Sequence, residues 1–323
     1  MIHQFRHQFL LSILLIAVLL IGLMSCNKSP KQKLTIGYIP ISECAQLYVA
    51  KEMGFFEREG LDVELISLSG GAPILDGVMS GSIDIGFSNV VSLVLRCSNG
   101  APFVSVFGGT YEDRDHQNHA LLVRKDKWNE SPRRALEGGK IAVNTFQNIE
   151  ELMVQKYLQS IGILPTSIQR VEAPFPSMLP LIESGAVDAV SIVEPFITIA
   201  RHDSQGQAVW LSNQYLATSS RTLVATYVSS RPIVERKKDS LKRFVKAMTD
   251  ATNYIENNEG RSRLVIAKFV KIPEVLLSEI GLPDFANTIE LSSLQSVIED
   301  MAQFGYVPNT NVVKSSELVW LNQ

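Results

Sequence analysis

The residues best placed to do chemistry sit where strand-like runs hand over to helical ones. Four such turns are Ser42-Glu43-Cys44, Ser69-Gly70-Gly71, Ser88-Asn89 and Asn144-Thr145-Phe146-Gln147-Asn148. A strand-to-helix turn offers backbone N–H groups and the positive end of a helix, a ready site for electron-rich groups. The side chains here are mostly short hydrogen-bond donors, suited to a small polar solute. They are also what helix caps and tight turns demand, so a binding reading and a structural reading stand side by side. Glu194, just before Pro195, has the same double reading: a recognition group, or a cap or ion-pair partner inside the fold. Cys44 either lines a pocket as a small soft group or packs in the core. His116 and His119, with Asp113 and Asp115, could hold a metal. On a strand, however, positions three apart face opposite sides, and no Cys or Glu completes the set, so a solvated loop is expected there. Gly-x-Ser-x-Gly, His-Glu-x-x-His and phosphate-loop patterns do not occur.

These turns need a scaffold, and the hydropathy pattern supplies one. Leu34–Ile39, Leu61–Ile66, Ile83–Phe87 and Phe103–Phe107 read as strands, with helices between them over Ala45–Met53, up to Ser80, and from Asn89. Strand–helix alternation argues for parallel α/β sheets. After a polar break at Glu112–Asn118 a second series follows. Its strands are Ala120–Arg124, Lys140–Val143, Ile168–Val171, Val187–Val190 and Val209–Leu211, and its helices are Asn148–Ile161, Pro176–Ser184 and Pro195–His202. A strand at Thr222–Val228 then leads into helices over Ile233–Asn257, Arg261–Val270, Pro273–Ile280 and Ser292–Phe304. One internal echo links the two series. Ser80-Gly81-Ser82-Ile83-Asp84-Ile85 matches Ser184-Gly185-Ala186-Val187-Asp188-Ala189. Helix–glycine–strand joints are common, but this match also predicts two lobes of similar topology. Ligands of open parallel sheets sit beyond the carboxyl ends of the strands, so facing lobes would bring Ser88, Asn89 and Glu194 to one cleft.

The chain has 323 residues, 46% of them hydrophobic and 20% charged, with a net charge of −3. That is ordinary globular composition with no basic excess, which disfavours a nucleic-acid binder. Its three cysteines form no Cys-x-x-Cys pair. Phe9–Met24 is apolar apart from Ser12 and Gly22, too short for a comfortable membrane crossing and well suited to a signal-peptide core. It ends in Leu23-Met24-Ser25-Cys26, which looks like a bacterial lipobox. The expectation is a signal peptide over 1–25, lipidation of Cys26 and a tether over 26–33, placing the rest outside the cytoplasm. Cys44 and Cys97 would then remain, bridged or not.

The run Gly37-Tyr38-Ile39-Pro40, followed by Val49-Ala50-Lys51-Glu52-Met53-Gly54-Phe55-Phe56-Glu57-Arg58-Glu59-Gly60-Leu61-Asp62-Val63, is the most specific stretch. With Gly81–Gly86 and Val187–Phe196 it resembles the periplasmic substrate-binding proteins of ABC importers for nitrate, sulfonates, taurine and thiamine-pyrimidine precursors. The resemblance covers about residues 34 to 230. It implies a two-lobed α/β fold, each lobe a mainly parallel sheet flanked by helices. Lobe 1 would comprise 34–114 and 219–323, and lobe 2 would comprise 115–218. It further implies a ligand at the four turns above, with Ser42, Glu43, Cys44, Gly70, Gly71, Ser88, Asn89, Asn144, Thr145, Gln147, Asn148 and Glu194 around it. Closure would present the loaded form to an ABC permease and its ATPase. The expected protein is a monomer without catalysis, cofactor, metal or nucleic-acid partner, held to the membrane by its lipid.

Charge narrows the solute. The four turns contain no Lys or Arg, while Glu43 and Glu194 add negative charge. A buried carboxylate beside a bare anion costs several kcal/mol unless a cation intervenes. Nitrate and sulfate are therefore disfavoured, and an aminosulfonate or a nitrogen heterocycle is favoured. Arg114 or Arg221, near the crossovers, could supply the missing charge. Two alternatives use the same cleft: an enzyme on this scaffold, such as a lyase or a pyrimidine-making enzyme, or an extracellular sensor module.

Overall fold

The computed structural model describes residues 31–203, 206–308 and 313–320, so the expected signal peptide and Cys26 lie outside the described residues. The chain begins with β1 (Gln32–Tyr38), a 3-10 turn (Ser42–Cys44), α1 (Ala45–Glu52) and α2 (Phe55–Arg58). It continues through β2 (Leu61–Ser67), α3 (Gly71–Ser80), β3 (Ile85–Asn89), α4 (Val90–Ser98) and the long β4 (Phe103–Asp113). It then crosses to a second unit of β5 (His119–Arg124), α5 (Pro132–Leu136), β6 (Lys140–Val143), α6 (Ile149–Ser160) and β7 (Gln169–Glu172). That unit ends with α7 (Phe175–Glu183), β8 (Ala189–Val193), α8 (Phe196–Asp203) and β9 (Ala208–Ser212). The chain returns as β10 (Arg221–Ser230), α9 (Arg231–Arg236), α10 (Lys238–Asn257), α11 (Glu259–Phe269), β11 (Asp284–Phe285) and α12 (Leu291–Gln303).

Two sheets result, ordered β11-β4-β10-β3-β1-β2 and β7-β6-β8-β5-β9. Leaving out β11, the orders correspond strand for strand: β2-β1-β3-β10-β4 against β7-β6-β8-β5-β9. The internal echo thus marks a repeated topology. Gly81 (φ 77°) and Gly185 (φ 72°) end α3 and α7 in the left-handed region, where a side chain is strained and glycine is not.

Leaving out β11, each sheet is mainly parallel, as expected, with one strand reversed. Each has a parallel trio, β2-β1-β3 or β7-β6-β8; the next strand, β10 or β5, runs antiparallel to it, and the strand after that, β4 or β9, pairs antiparallel with the reversed one and so runs with the trio again. The reversal has a simple cause. A strand entering from the other lobe, as β5 and β10 do, has no crossover helix on its own sheet to turn it parallel.

The C-terminal helices cover the first sheet. Leu241, Phe244, Ala247, Met248, Ala251 and Ile255 form the buried stripe of α10. Phe244 stacks on Phe56 at 6.0 Å and meets Phe107 and Tyr227 edge-on, closing the core between α2 and the sheet. The long helix expected over Ile233–Asn257 is two helices meeting at Lys237, whose ψ of 26° and unhelical φ of −116° break the run. Pro273–Ile280 forms a 3-10 segment (Glu274–Glu279) rather than an α-helix. The polar break begins later than expected, because Glu112 and Asp113 still belong to β4. Cys44 and Cys97 are free thiols.

Candidate functional site

The carboxyl ends of four parallel strands face one another across the lobe boundary. Ile39, Pro40 and Ile41 follow β1, and Ser67, Leu68 and Ser69 close β2. Opposite them Pro174, Phe175 and Pro176 follow β7, and Phe196 follows β8. Together these residues line a cavity of about 370 Å³. Its walls are mostly apolar, and the Phe175 and Phe196 rings lie near-parallel at 6.4 Å. A larger cavity of about 700 Å³ lies at the crossovers instead, lined by Arg114–Gln117, Glu256, Glu259, Arg263 and Ser278–Phe285. No strand of the parallel trios ends there, so the smaller space has the position of a ligand site in an open α/β sheet.

The predicted turns do converge, and most of their side chains are engaged. Asn144 Nδ2 donates to Ser69 O across the boundary at 3.2 Å. Gly70 sits so close to that turn that a Cβ would lie 3.1 Å from both Asn144 Oδ1 and Thr145 Cγ2. A Cβ on Gly71 would lie 2.5 Å from Ser88 Oγ and 3.0 Å from Asn89 Nδ2. The glycines are what let three turns meet. Asn89 and Asn148 cap α4 and α6, accepting the N–H groups of Ser92 at 2.9 Å and Glu151 at 3.0 Å. Gln147 is exposed, with φ 54°. Thr145 Oγ1 is buried with no partner among the described residues. Cys44 is fully buried in the lobe 1 core, and burial pushes its thiol well up.

Ser42 bridges the lobes: its N–H and hydroxyl both donate to Glu194 O, and the hydroxyl also donates to Asn118 Oδ1 at 2.9 Å. The Glu194 carboxylate itself turns inward. It accepts Thr198 N and Oγ1 at 3.0 Å and Gly281 N at 3.3 Å, so it caps α8 and ties the 280s segment to it. Arg221 is held by Asp284 and Glu290 and lies over the Tyr111 ring at 3.8 Å, which keeps its charge within lobe 1. Arg114 lines the larger crossover cavity.

Beneath Ser42 lies a cluster that the sequence reading did not assemble. His119 was expected on a solvated loop, yet it is 1% exposed. Its Nδ1 is 2.8 Å from Glu112 Oε2, and its Nε2 is 3.3 Å from Glu150 Oε1 and 3.9 Å from Glu43 Oε1. Tyr215 lies against the imidazole at 4.3 Å between centroids and donates its hydroxyl to Glu150 at 2.8 Å. The three carboxylates outweigh the desolvation of the ring and push the His119 pKa up to about 10. Burial, opposed by His119, pushes Glu43 up to about 7. The signal in the sequence is slight: His119 opens a strand buried but for its last residue, and Glu150 sits in the first turn of a helix buried on most of its surface. Among the described residues no group of His, Cys, Asp or Glu has the geometry of a metal site.

Known proteins were compared with this chain. The nitrate import ATP-binding protein NrtC of Synechocystis is 25% identical over 326 residues, covering 92% of the chain. The chain spans only 46% of that relative's length. Among solved structures, the ligand-binding component of an ABC-type import system from Staphylococcus aureus, with zinc bound, superposes with a TM-score of 0.76 at 16% identity, covering 90% of this chain and 97% of that one. The periplasmic aliphatic sulphonate-binding protein SsuA of Escherichia coli superposes at 0.72 and 19% identity, covering 90% and 98%. The family model of the NMT1-like family matches residues 27–269. With three quarters of its length inside that match and the two-lobed fold of the periplasmic binding proteins, the chain belongs to the NMT1-like family.

Proposed function

We propose that this protein is an extracytoplasmic solute-binding protein of an ABC import system, acting without catalysis. The observation that carries this reading is the cavity of about 370 Å³ between the lobes, at the carboxyl ends of β1, β2, β7 and β8. Its solute is small, with an apolar or planar body against Pro40, Leu68, Pro174 and Phe196 and a polar end toward the turns. An aminosulfonate, an alkanesulfonate or a nitrogen heterocycle meets that description, and a bare inorganic anion does not. Lobe closure captures the solute, and an ABC permease with its ATPase receives it. The likeness to import-system binding proteins supports this partner. Cys26 carries the lipid that keeps a monomer beside the permease.

A thermal-shift screen tests the reading. The panel holds taurine, alkanesulfonates, nitrate, bicarbonate, aminopyrimidines and amino acids. A ligand at about 1,000 times its Kd adds roughly 4 kcal/mol, a rise of several degrees. One sulfonate or heterocycle class should raise the midpoint, and Phe196→Ala should blunt the rise. A shift with nitrate alone overturns the solute class. Silence across the panel overturns the binding role. Mass spectrometry of the membrane-extracted chain should show a lipid-modified N-terminal Cys26.

A further inference from the structure

The buried cluster around His119 spans the lobe boundary. Glu43 and Thr110 come from lobe 1, Glu112 from the end of β4, and His119, Glu150 and Tyr215 from the far side of the crossover. The three carboxylates are not equally provided for. Glu112 accepts Asn118 N at 3.0 Å, His119 N at 3.2 Å, Asn213 Nδ2 at 2.5 Å and His119 Nδ1 at 2.8 Å. Glu150 accepts the Ser191 and Tyr215 hydroxyls and Gln214 Nε2, and faces His119 Nε2. Both ring nitrogens of His119 therefore point at carboxylates, and the ring carries a positive charge. Among the described residues Glu43 has one hydrogen-bond donor, Thr110 Oγ1 at 3.0 Å, and it views His119 Nε2 from 3.9 Å.

One imidazolium cannot neutralise three buried carboxylates, and the poorly served one costs most to keep charged. We propose that Glu43 is a proton-operated contact between the lobes: it is ionised when they part and takes up a proton as they close, so that acid favours the closed form. This rests on reading the two lobes as a clamp, as the proposed solute-binding role does. Six other groups face Glu43. His119 is already protonated, burial holds Tyr215, Tyr227 and Cys44 in their neutral forms, and Glu112 and Glu150 each accept several hydrogen bonds where Glu43 accepts one among the described residues. The sign follows from linkage. Closed, Glu43 binds its proton up to about pH 7; open and hydrated, it reverts toward the ordinary carboxylate value of 4.5. Between those values closure takes up a proton.

The test uses no solute, so its outcome is independent of the solute screen. Small-angle X-ray scattering of the purified protein at pH 8, 7 and 6 reports the closed fraction. The wild-type radius of gyration should fall toward acid, and E43Q, which mimics the protonated group, should be compact at every pH. The exposed His202–Glu279 contact also crosses the boundary, so each variant is repeated on H202Q. Thr110→Val removes the Thr110 hydroxyl that donates to the Glu43 carboxylate and should move the midpoint up by about 0.5–1 pH unit. That arm decides the matter if circular dichroism shows E43Q misfolded. A wild-type radius independent of pH, or an E43Q or T110V profile that overlays the wild type, overturns the proposal.

Discussion

Asp84 and Asp188 tie the start of the third strand of each parallel trio to its neighbour in the same way. Asp84 Oδ2 accepts Thr35 N at 2.9 Å while its own N–H donates to Thr35 O at 2.8 Å. Asp188 Oδ2 accepts Lys140 N at 2.9 Å while its N–H donates to Lys140 O at 2.8 Å. Each also meets a cation from outside its own strand pair, Lys237 for Asp84, and Arg124 and Lys127 for Asp188. The echoed Asp is thus a strand-register clamp repeated in both lobes. Asp84→Ala and Asp188→Ala should each leave a backbone donor unpaired and cost about 1–3 kcal/mol. At about 2–4 °C per kcal/mol, calorimetry should show a drop of several degrees for each. An unchanged midpoint would refute the clamp.

Gly70 and Gly71 should separate under substitution although they are adjacent. The clash at Gly71→Ala lies within lobe 1, against Ser88 and Asn89, so it should lower stability by about 1–3 kcal/mol. The clash at Gly70→Ala lies across the boundary, against Asn144 and Thr145, and vanishes when the lobes part. Its unfolding midpoint should stay near wild type while the scattering radius grows. Equal loss of stability in both variants would argue against a mobile boundary at Gly70.

The two capping asparagines offer a third check. Asn89→Ala and Asn148→Ala remove side-chain acceptors for Ser92 N and Glu151 N, at a cost of about 1 kcal/mol each in urea unfolding. Asn→Asp keeps the acceptor and should keep the stability. A stability unaffected by either alanine would mean that these side chains are not working as caps.

The fold was legible because its signals are local. Gly81 and Gly185 need no partner to announce a helix end, and the Asp that follows each lies next to the strand it ties. The turns were legible as turns for the same reason. What escaped was burial, which depends on distant residues. Glu112, His119 and Glu150 sit in three separate segments, and each looks like a surface polar residue in its own stretch. Glu194 shows the converse. Its place beside Pro195 fits a recognition group, a cap or an ion-pair partner equally, and its carboxylate is engaged with Thr198 and Gly281. The one reversed strand in each sheet escaped too, because strand direction on re-entry is set by the crossover and not by the residues of β5 or β10.

His119 should act as the electrostatic keystone of the joint. His119→Gln keeps hydrogen-bonding capacity but removes the one cation among Glu43, Glu112 and Glu150. Breaking a buried charge arrangement this way costs about 3–5 kcal/mol. The pH dependence gives the sign. The folded-state pKa is raised from 6.5 to about 10, so the stabilisation is complete below about pH 6.5 and is lost as pH rises through about 10. Urea unfolding at pH 6.5, 8 and 10 should therefore show the wild-type advantage over H119Q shrinking toward alkaline pH. A gap that stays constant across that range would mean that His119 contributes by packing against Tyr215 and not by its charge.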